Sequence, residues 1–173
     1  MHVLTRIFSL VAGLAVEATK KYIAENGDTS AEDLAEVITN QQMASALKSH
    51  DKVHIAVQSV FTPQFFKQKE VEKYAPVITE ITNGSTIMER HLIAALESLC
   101  IEKPKNFPVL IKQLYDEDAL EEDTILEWAA EGRNDYTLDR IDEETRAVLR
   151  AEAEPVVVWL QEADSDEEDE DEE

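Results

Sequence analysis

Two segments of this chain place aromatic and acidic residues close together, and they are the strongest candidates for binding chemistry. The first segment covers residues 115–128. Its carboxylates could be neutralised by the ammonium groups of a lysine-rich polypeptide, and its aromatic rings could add apolar contact area. The candidate residues in this segment are Tyr115, Asp116, Asp118, Glu121, Glu122, Asp123, Glu127 and Trp128.

The second segment covers residues 154–163 and runs into an acidic end, and its candidates are Trp159, Glu162 and Asp164. Negative charges at the C-terminal end of a helix oppose the helix dipole and repel one another. Local stability would favour lysine there, so we expect a partner outside the domain to supply the positive charge. A solubilising tail without a partner is the alternative.

Each segment also has a purely structural interpretation. Trp128 and Trp159 each share a helix face with apolar neighbours, so the spacing favours core anchors over exposed binding platforms for both tryptophans. Glu121, Glu122 and Asp123 fall in the first turn of a predicted helix, where the positive end of the dipole favours acids. Folding alone could therefore explain part of the pattern.

The acidic charge is concentrated in the last third of the chain. From Asp116 onwards there are 25 acidic side chains and four arginines, whereas the preceding residues carry 13 acids and 12 bases. A nearly neutral body with an anionic end is typical of a docking module. This balance favours a basic protein segment as the partner and disfavours nucleic acid, whose phosphates would be repelled.

Signals for enzymatic chemistry are poor. The sequence has no glycine-rich phosphate loop, nucleophile elbow or H-E-x-x-H motif, so we expect a binding protein with neither catalytic residues nor a cofactor. His50 and His54 could share a helix face and bind a metal with Asp51, but ordinary helix histidines are the favoured interpretation. The single cysteine, Cys100, is expected to be buried, and a reducing, cytoplasmic setting fits.

Helical periodicity dominates the chain and strand signals are nearly absent. We predict an all-α fold of antiparallel helical pairs in one domain over residues 1–163, and a disordered acidic tail over 164–173. The first residues are expected to form a core helix rather than a signal peptide, and no apolar run is long enough to span a bilayer. The predicted helices cover 3–26, 30–40, 42–49, 51–61, 64–83 with a break at Pro76, 86–101, 105–115, 119–131, 142–152 and 155–163.

At these residues the chain resembles the C-terminal W2-type domains of eukaryotic translation initiation factor 5 and of the initiation factor 2B epsilon subunit. The run from Tyr115 to Trp128 and the run from Ala153 through Trp159 to Ala163 look like the two aromatic–acidic boxes of that family. The resemblance is good from about residue 86 to 163. The Ala-Glu-Pro sequence at 153–155 looks closer to factor 5 than to the epsilon subunit.

The resemblance implies an atypical HEAT-like, right-handed stack of helices that acts as an assembly platform. Its implied partners are lysine-rich segments of the initiation factor 2 beta subunit, initiation factor 3 and initiation factor 1, and a monomer is expected. The matching box residues are Glu121, Glu122, Asp123, Glu127, Trp128, Trp159 and Glu162. Factor 5 carries its GTPase-activating region in a domain with a zinc ribbon, whose cysteines this sequence lacks, so that activity is not expected of these residues.

Several alternatives remain open at this point. A nucleotide-exchange domain of the 2B epsilon type, a W2-domain translational regulator and a histone-chaperone-like acidic module would each also fit the acidic segments. Lys67, Lys69 and Lys73 could form a second, basic face, although ordinary solvated lysines are the favoured interpretation. Ser165, followed by Asp-Glu-Glu, resembles an acidophilic kinase site, and its phosphorylation is expected to tighten the binding of lysine runs.

Overall fold

The computed structural model describes residues 2–170 of the chain, and the side chains of residues 10–166. Within that range the chain forms eight helices and no strand, which confirms the predicted all-α class. None of these helices is both long enough and apolar enough to cross a membrane. The helices are α1 (His2–Glu25), α2 (Ala31–Ala44), α3 (Asp51–Val60), α4 (Glu70–Thr82), α5 (Thr86–Leu99), α6 (Asn106–Asp116), α7 (Glu122–Ala130) and α8 (Glu143–Glu170).

Helices that are two positions apart along the chain pack against each other. α1 packs on α3, α2 on α4, α3 on α5, α5 on α7, and α6 on α8. Such short-range packing is the hallmark of helical stacks, in which each unit mainly contacts its neighbours. α5 lies at the centre, and its apolar side chains Leu92, Ile93 and Leu96 are fully buried. The stack is HEAT-like, as the family resemblance implies.

Serine side chains fix the starts of two helices. The Oγ of Ser30 accepts a hydrogen bond from the backbone N–H of Asp33 at 3.1 Å, and the Oγ of Ser85 accepts one from Met88 at 3.3 Å. These bonds satisfy backbone donors that the first turn of a helix leaves without a partner. Both caps agree with the predicted starts of α2 and α5. Cys100 is buried at the end of α5, as predicted.

One helix predicted in the first half of the chain is not formed, and another begins later than predicted. Residues 42–49 were expected to form a separate helix, but α2 runs on to Ala44 and a turn follows, in which Ala46 has a φ of +53°. Residues 64–69 form turns rather than the start of α4, because the Glu70 carboxylate accepts hydrogen bonds from both the N–H and the hydroxyl of Thr62. Side-chain bonds to the backbone thus replace the predicted helical turns.

Prolines interrupt the helices less than predicted. Pro76 was expected to kink or split its helix, yet α4 is continuous from Glu70 to Thr82. Pro155 was expected to separate two helices, but it lies within α8. A proline removes one backbone hydrogen bond from a helix interior. Here the buried neighbours Ala75, Val77 and Val156 hold the flanking turns in place.

Residues 164–170 are helical in the structure. α8 continues through Glu170, whereas the sequence predicted disorder over residues 164–173. No proline or glycine interrupts these residues, and the Ser165 hydroxyl donates to the Gln161 carbonyl at 3.0 Å. Residues 171–173 lie outside the described residues. The order of this end in solution and the domain boundary at residue 163 both stay predictions.

Loss of the Ser85 cap should weaken the central helix. We expect Ser85→Ala to lower the free energy of unfolding by about 1 kcal/mol, the usual cost of removing an N-cap side chain. Urea unfolding followed by circular dichroism measures this change. Ser85→Asp restores an acceptor and should unfold like the original chain; equal stability of the alanine variant would contradict the assigned cap.

Candidate partner-binding site

The aromatic part of the candidate site lies where α6 and α8 pack together. Trp159 on α8 has 41% of its surface exposed. The ring of Tyr115, from the last turn of α6, contacts it edge-on with the ring centroids 5.7 Å apart. Val109 on α6 and Val158 on α8 are also exposed. The two predicted segments therefore meet here and form a partly apolar, solvent-facing platform.

A lysine that the sequence analysis did not single out completes this platform. The Nζ of Lys112 lies 2.9 Å from a carboxylate oxygen of Asp116, one turn further along α6. The same Nζ lies 4.7 Å from the centroid of the Trp159 ring, within reach of a cation–π interaction. We call Lys112, Tyr115, Asp116 and Trp159 the aromatic platform. The spacing of Lys112 four residues before Asp116 was the signal that could have revealed it.

The acidic end of α8 follows directly after the platform. The side chains of Glu162, Asp164 and Asp166 are exposed. None of them forms an ion pair with a base whose side chain the structure describes. Ser165 is exposed among them. This run of carboxylates, which we call the acidic end, is free to attract external cations.

The acids at the start of α7 have a different surrounding. Glu121 is the N-cap residue, and its backbone N–H donates to the buried carboxylate of Glu89 at 2.7 Å. Burial raises the pKa of Glu89. Asp118 and Asp123 are exposed and Glu122 is half-buried in the first turn. Glu121, Glu122 and Asp123 lie at the N-cap and in the first turn of α7 and suit the positive end of the helix dipole, as the structural interpretation predicted.

The two tryptophans have opposite roles. Trp128 is only 4% exposed and packs on Phe107 with ring centroids 5.0 Å apart, so its prediction as a core anchor is confirmed. The same prediction for Trp159 is wrong. Its neighbours on the helix, Val156 and Leu160, are buried, but the indole lies at the edge of the contact between α6 and α8. Tyr115 and Lys112 of α6 contact the ring, and 41% of the Trp159 surface stays exposed.

Arg146 is the buried charge that holds α7 in place. Its guanidinium lies 4.1 Å from the centroid of the Trp128 ring and donates to the carbonyls of Trp128 and Glu131 at 2.7 and 2.9 Å. Its Nε lies 3.3 Å from a carboxylate oxygen of Glu97, and both side chains are buried. Burial raises the pKa of Glu97 to about 7, against the opposing effect of the Arg146 charge.

Glu127 is tied to the body of the domain by a second arginine. Arg90 on α5 is 8% exposed and donates to the carboxylates of both Glu127, at 3.1 Å, and Glu131. The Arg90 guanidinium also lies 4.9 Å from the centroid of the Tyr136 ring. Glu127 therefore supports the fold, and the structure does not bring it together with the aromatic platform.

A cluster of histidines lines a cleft of about 460 Å³. The rings of His50 and His91 stack with centroids 4.0 Å apart, and His54 and Tyr136 contact His91 edge-on. Burial lowers the pKa of both His54 and His91 to about 4, and the neighbouring His50 adds to this shift. Within the described residues, no three ligating side chains are placed to hold a metal ion.

A comparison with known families finds a match in the part of the chain that contains the site. A model of the W2 family, described as eIF4-gamma/eIF5/eIF2-epsilon, matches residues 88–170. That range includes every partner-binding residue predicted from the sequence. Residues 88–170 are a W2 domain. The match falls on the part of the chain that carries the two aromatic–acidic segments.

Relatives of known name refine this assignment to the factor 5 type. The chain is 29% identical over 112 residues to eukaryotic translation initiation factor 5 of Mus musculus, with 61% of this chain and 25% of the relative covered. For the Zea mays factor 5 the identity is 35%, with 65% and 22% covered. The chain spans about a quarter of the length of these relatives.

A solved structure supports the fold over most of the chain. The C-terminal domain of translation initiation factor 5, determined at low pH, superposes with a TM-score of 0.67 at 20% identity and covers 91% of this chain. The fold therefore extends well before residue 88, where the sequence resemblance is weak. This agreement confirms the predicted helical architecture.

Replacing Arg146 should destabilise the domain strongly. We expect Arg146→Met to cost about 3–5 kcal/mol of unfolding free energy, because Glu97 would stay buried without its partner and two carbonyls would lose donors. The double variant Glu97→Gln/Arg146→Met should recover part of this loss. Urea unfolding at neutral pH measures both. If the double variant is as unstable as the sum of the single changes, the pairing is not the cause.

The histidine cluster should make the domain less stable in acid. The folded-state pKa values of His54 and His91 lie below the ordinary value, so the unfolded chain takes up protons first and stability falls as pH drops from about 6.5 towards 4. His91→Gln removes one such group. Relative to the original chain, this variant should gain about 1–2 kcal/mol of unfolding free energy between pH 7.5 and pH 5. Urea unfolding at both pH values gives the two differences, and a pH-independent difference would contradict the low pKa.

Proposed function

We propose that this domain is a non-enzymatic adaptor of translation initiation that docks a lysine-rich segment of another protein on the aromatic platform and the acidic end. The segment that fits the family resemblance best belongs to the initiation factor 2 beta subunit. Initiation factors 3 and 1 are further proposed partners in the preinitiation complex. The proposed setting is the cytoplasm, and the proposed state of the free domain is a monomer.

The observation that carries the proposal is the exposed Trp159 beside a run of exposed carboxylates that form no ion pair with a described base. Trp159 is 41% exposed, and Glu162, Asp164 and Asp166 follow it on the same helix. An aromatic residue that stays partly exposed to solvent is typical of a contact surface. The carboxylates around it select a positively charged partner.

The energetics require many contacts to act together. An exposed ion pair contributes about 0.2–1 kcal/mol, whereas micromolar affinity needs about 8 kcal/mol of binding free energy. Carboxylate–ammonium pairs alone would therefore not suffice. Apolar contact of the partner with Trp159 and Val109 supplies the remainder, which explains why aromatic and acidic residues occur together in the sequence.

Charge reversal at the acidic end tests this function. The probe is a lysine-rich peptide from the initiation factor 2 beta subunit, and its affinity is measured by calorimetry at several salt concentrations. We expect Glu162→Lys/Asp164→Lys to weaken binding by roughly tenfold or more, because two attractions become repulsions. Binding by the original chain should also weaken steeply with salt, since exposed charges are screened beyond about 8 Å at physiological ionic strength.

A matched control separates local contacts from net charge. Glu32 and Glu36 are exposed on α2 and form no ion pair with a described base. The variant Glu32→Lys/Glu36→Lys changes the net charge by the same amount and should bind nearly as tightly as the original chain. Equal weakening by both double variants, or an affinity that salt does not change, would refute docking at this surface.

A further inference from the structure

Lys112 occupies a position that a lysine from a partner would be expected to take. Its ammonium lies 2.9 and 3.3 Å from the two oxygens of Asp116 and 4.7 Å from the centroid of the Trp159 ring. Tyr115 supports that ring edge-on. A carboxylate and an aromatic face that converge on one ammonium are the minimal parts of a lysine-binding site. In the free domain, the chain's own lysine fills it.

The contacts of Lys112 are of the replaceable kind. The side chains of Lys112 and Asp116 are 44% and 49% exposed, and Trp159 is 41% exposed. Exposed ion pairs one helical turn apart and exposed cation–π contacts are both weak. Arg90 and Arg146, by contrast, are buried and cannot leave their carboxylates without a large cost. Among these three bases, only Lys112 can be displaced without disturbing the core.

The surroundings of this site fit an extended basic segment. A shallow groove of about 370 Å³ between α6 and α8 is lined by Pro108, Val109, Lys112, Gln113, Asp116 and Val156. Its apolar walls suit the aliphatic stem of a lysine or a neighbouring apolar side chain. The acidic end begins one turn beyond Trp159 and would pair with the flanking lysines of the same segment. Asp116 in the groove and the carboxylates of the acidic end thus both favour a lysine-rich segment as the occupant.

We propose that the aromatic platform binds one lysine side chain of the docked segment, and that Lys112 acts as an internal competitor that the incoming lysine displaces. The inference rests on the proposed docking function and assigns a ligand group and a means of regulation to the same site. In the free domain, the contact with Lys112 partly covers the Trp159 ring and neutralises the Asp116 carboxylate. It also makes binding more selective. A partner that offers a single lysine gains little binding free energy, because its ammonium merely replaces that of Lys112.

The test compares two lysine substitutions on or next to α6. Lys112→Gln removes the competitor. Lys105→Gln removes the same charge seven residues earlier, about 10 Å away along the helix axis and beyond a Debye length at physiological salt. With the lysine-rich peptide as probe, we expect Lys112→Gln to tighten binding by about threefold to tenfold. Lys105→Gln should change the affinity by less than about twofold.

A double-mutant cycle ties the gain to the platform. In a Trp159→Leu background, Lys112→Gln should no longer tighten binding, because the freed ring face is absent. Circular dichroism checks that the half-exposed position tolerates leucine. The indole N–H resonance of Trp159 should shift on Lys112→Gln without peptide, and peptide should shift it again.

The outcomes separate the two proposals. If the original chain does not bind the peptide in a salt-dependent way, the docking function itself fails. If it binds, but both glutamine variants change the affinity equally or Lys112→Gln weakens binding, only the competitor role is overturned. Persistence of the gain in the Trp159→Leu background would likewise overturn it.

Discussion

The C-terminal half of the domain depends on one buried guanidinium, that of Arg146. α7 has no base in its own last turn. The carbonyls at its C-terminal end therefore need hydrogen-bond donors from elsewhere, and the negative end of its dipole favours a positive charge. Arg146 supplies them from α8 while it pairs with Glu97 on α5. The adjacent Arg150 donates to the carbonyl of Ala129. Three helices are therefore joined by groups that would each be costly to leave unsatisfied.

The acidic surface reflects a shortage of bases in the last third of the chain. Four arginines follow Asp116, and they cannot balance the 25 acids of the same region. Arg146 and Arg150 bond to the end of α7 and Arg133 donates to the carbonyl of Ile141, so these three guanidinium groups are held at fixed places in the fold. The exposed acids elsewhere in this region keep their attraction for external cations.

The sequence predicted the helical class, the starts of α2 and α5 and the segments that form the site, because these features depend on local spacing. It could not distinguish the buried Trp128 from the exposed Trp159, since each tryptophan has apolar residues at helical spacing around it. Burial of these rings depends on the helices that cover them. Side chains from α5, α6 and α8 contact Trp128, whereas the ring contacts of Trp159 among the described residues come from Tyr115 and Lys112 of α6. The pairing of Glu127 with Arg90 joins residues 37 positions apart, which no local pattern encodes.

The acids of the two segments differ in role because they lie at opposite ends of their helices. Carboxylates at the start of α7 agree with the helix dipole and stabilise the fold, whereas those at the end of α8 oppose it. Cations from a docked segment would remove that repulsion, so ligand binding and the helical order of the acidic end are thermodynamically linked. The proposed partner would thus relieve a surface that is destabilised on its own. Such a local conflict between charge and helix dipole is expected where function depends on it.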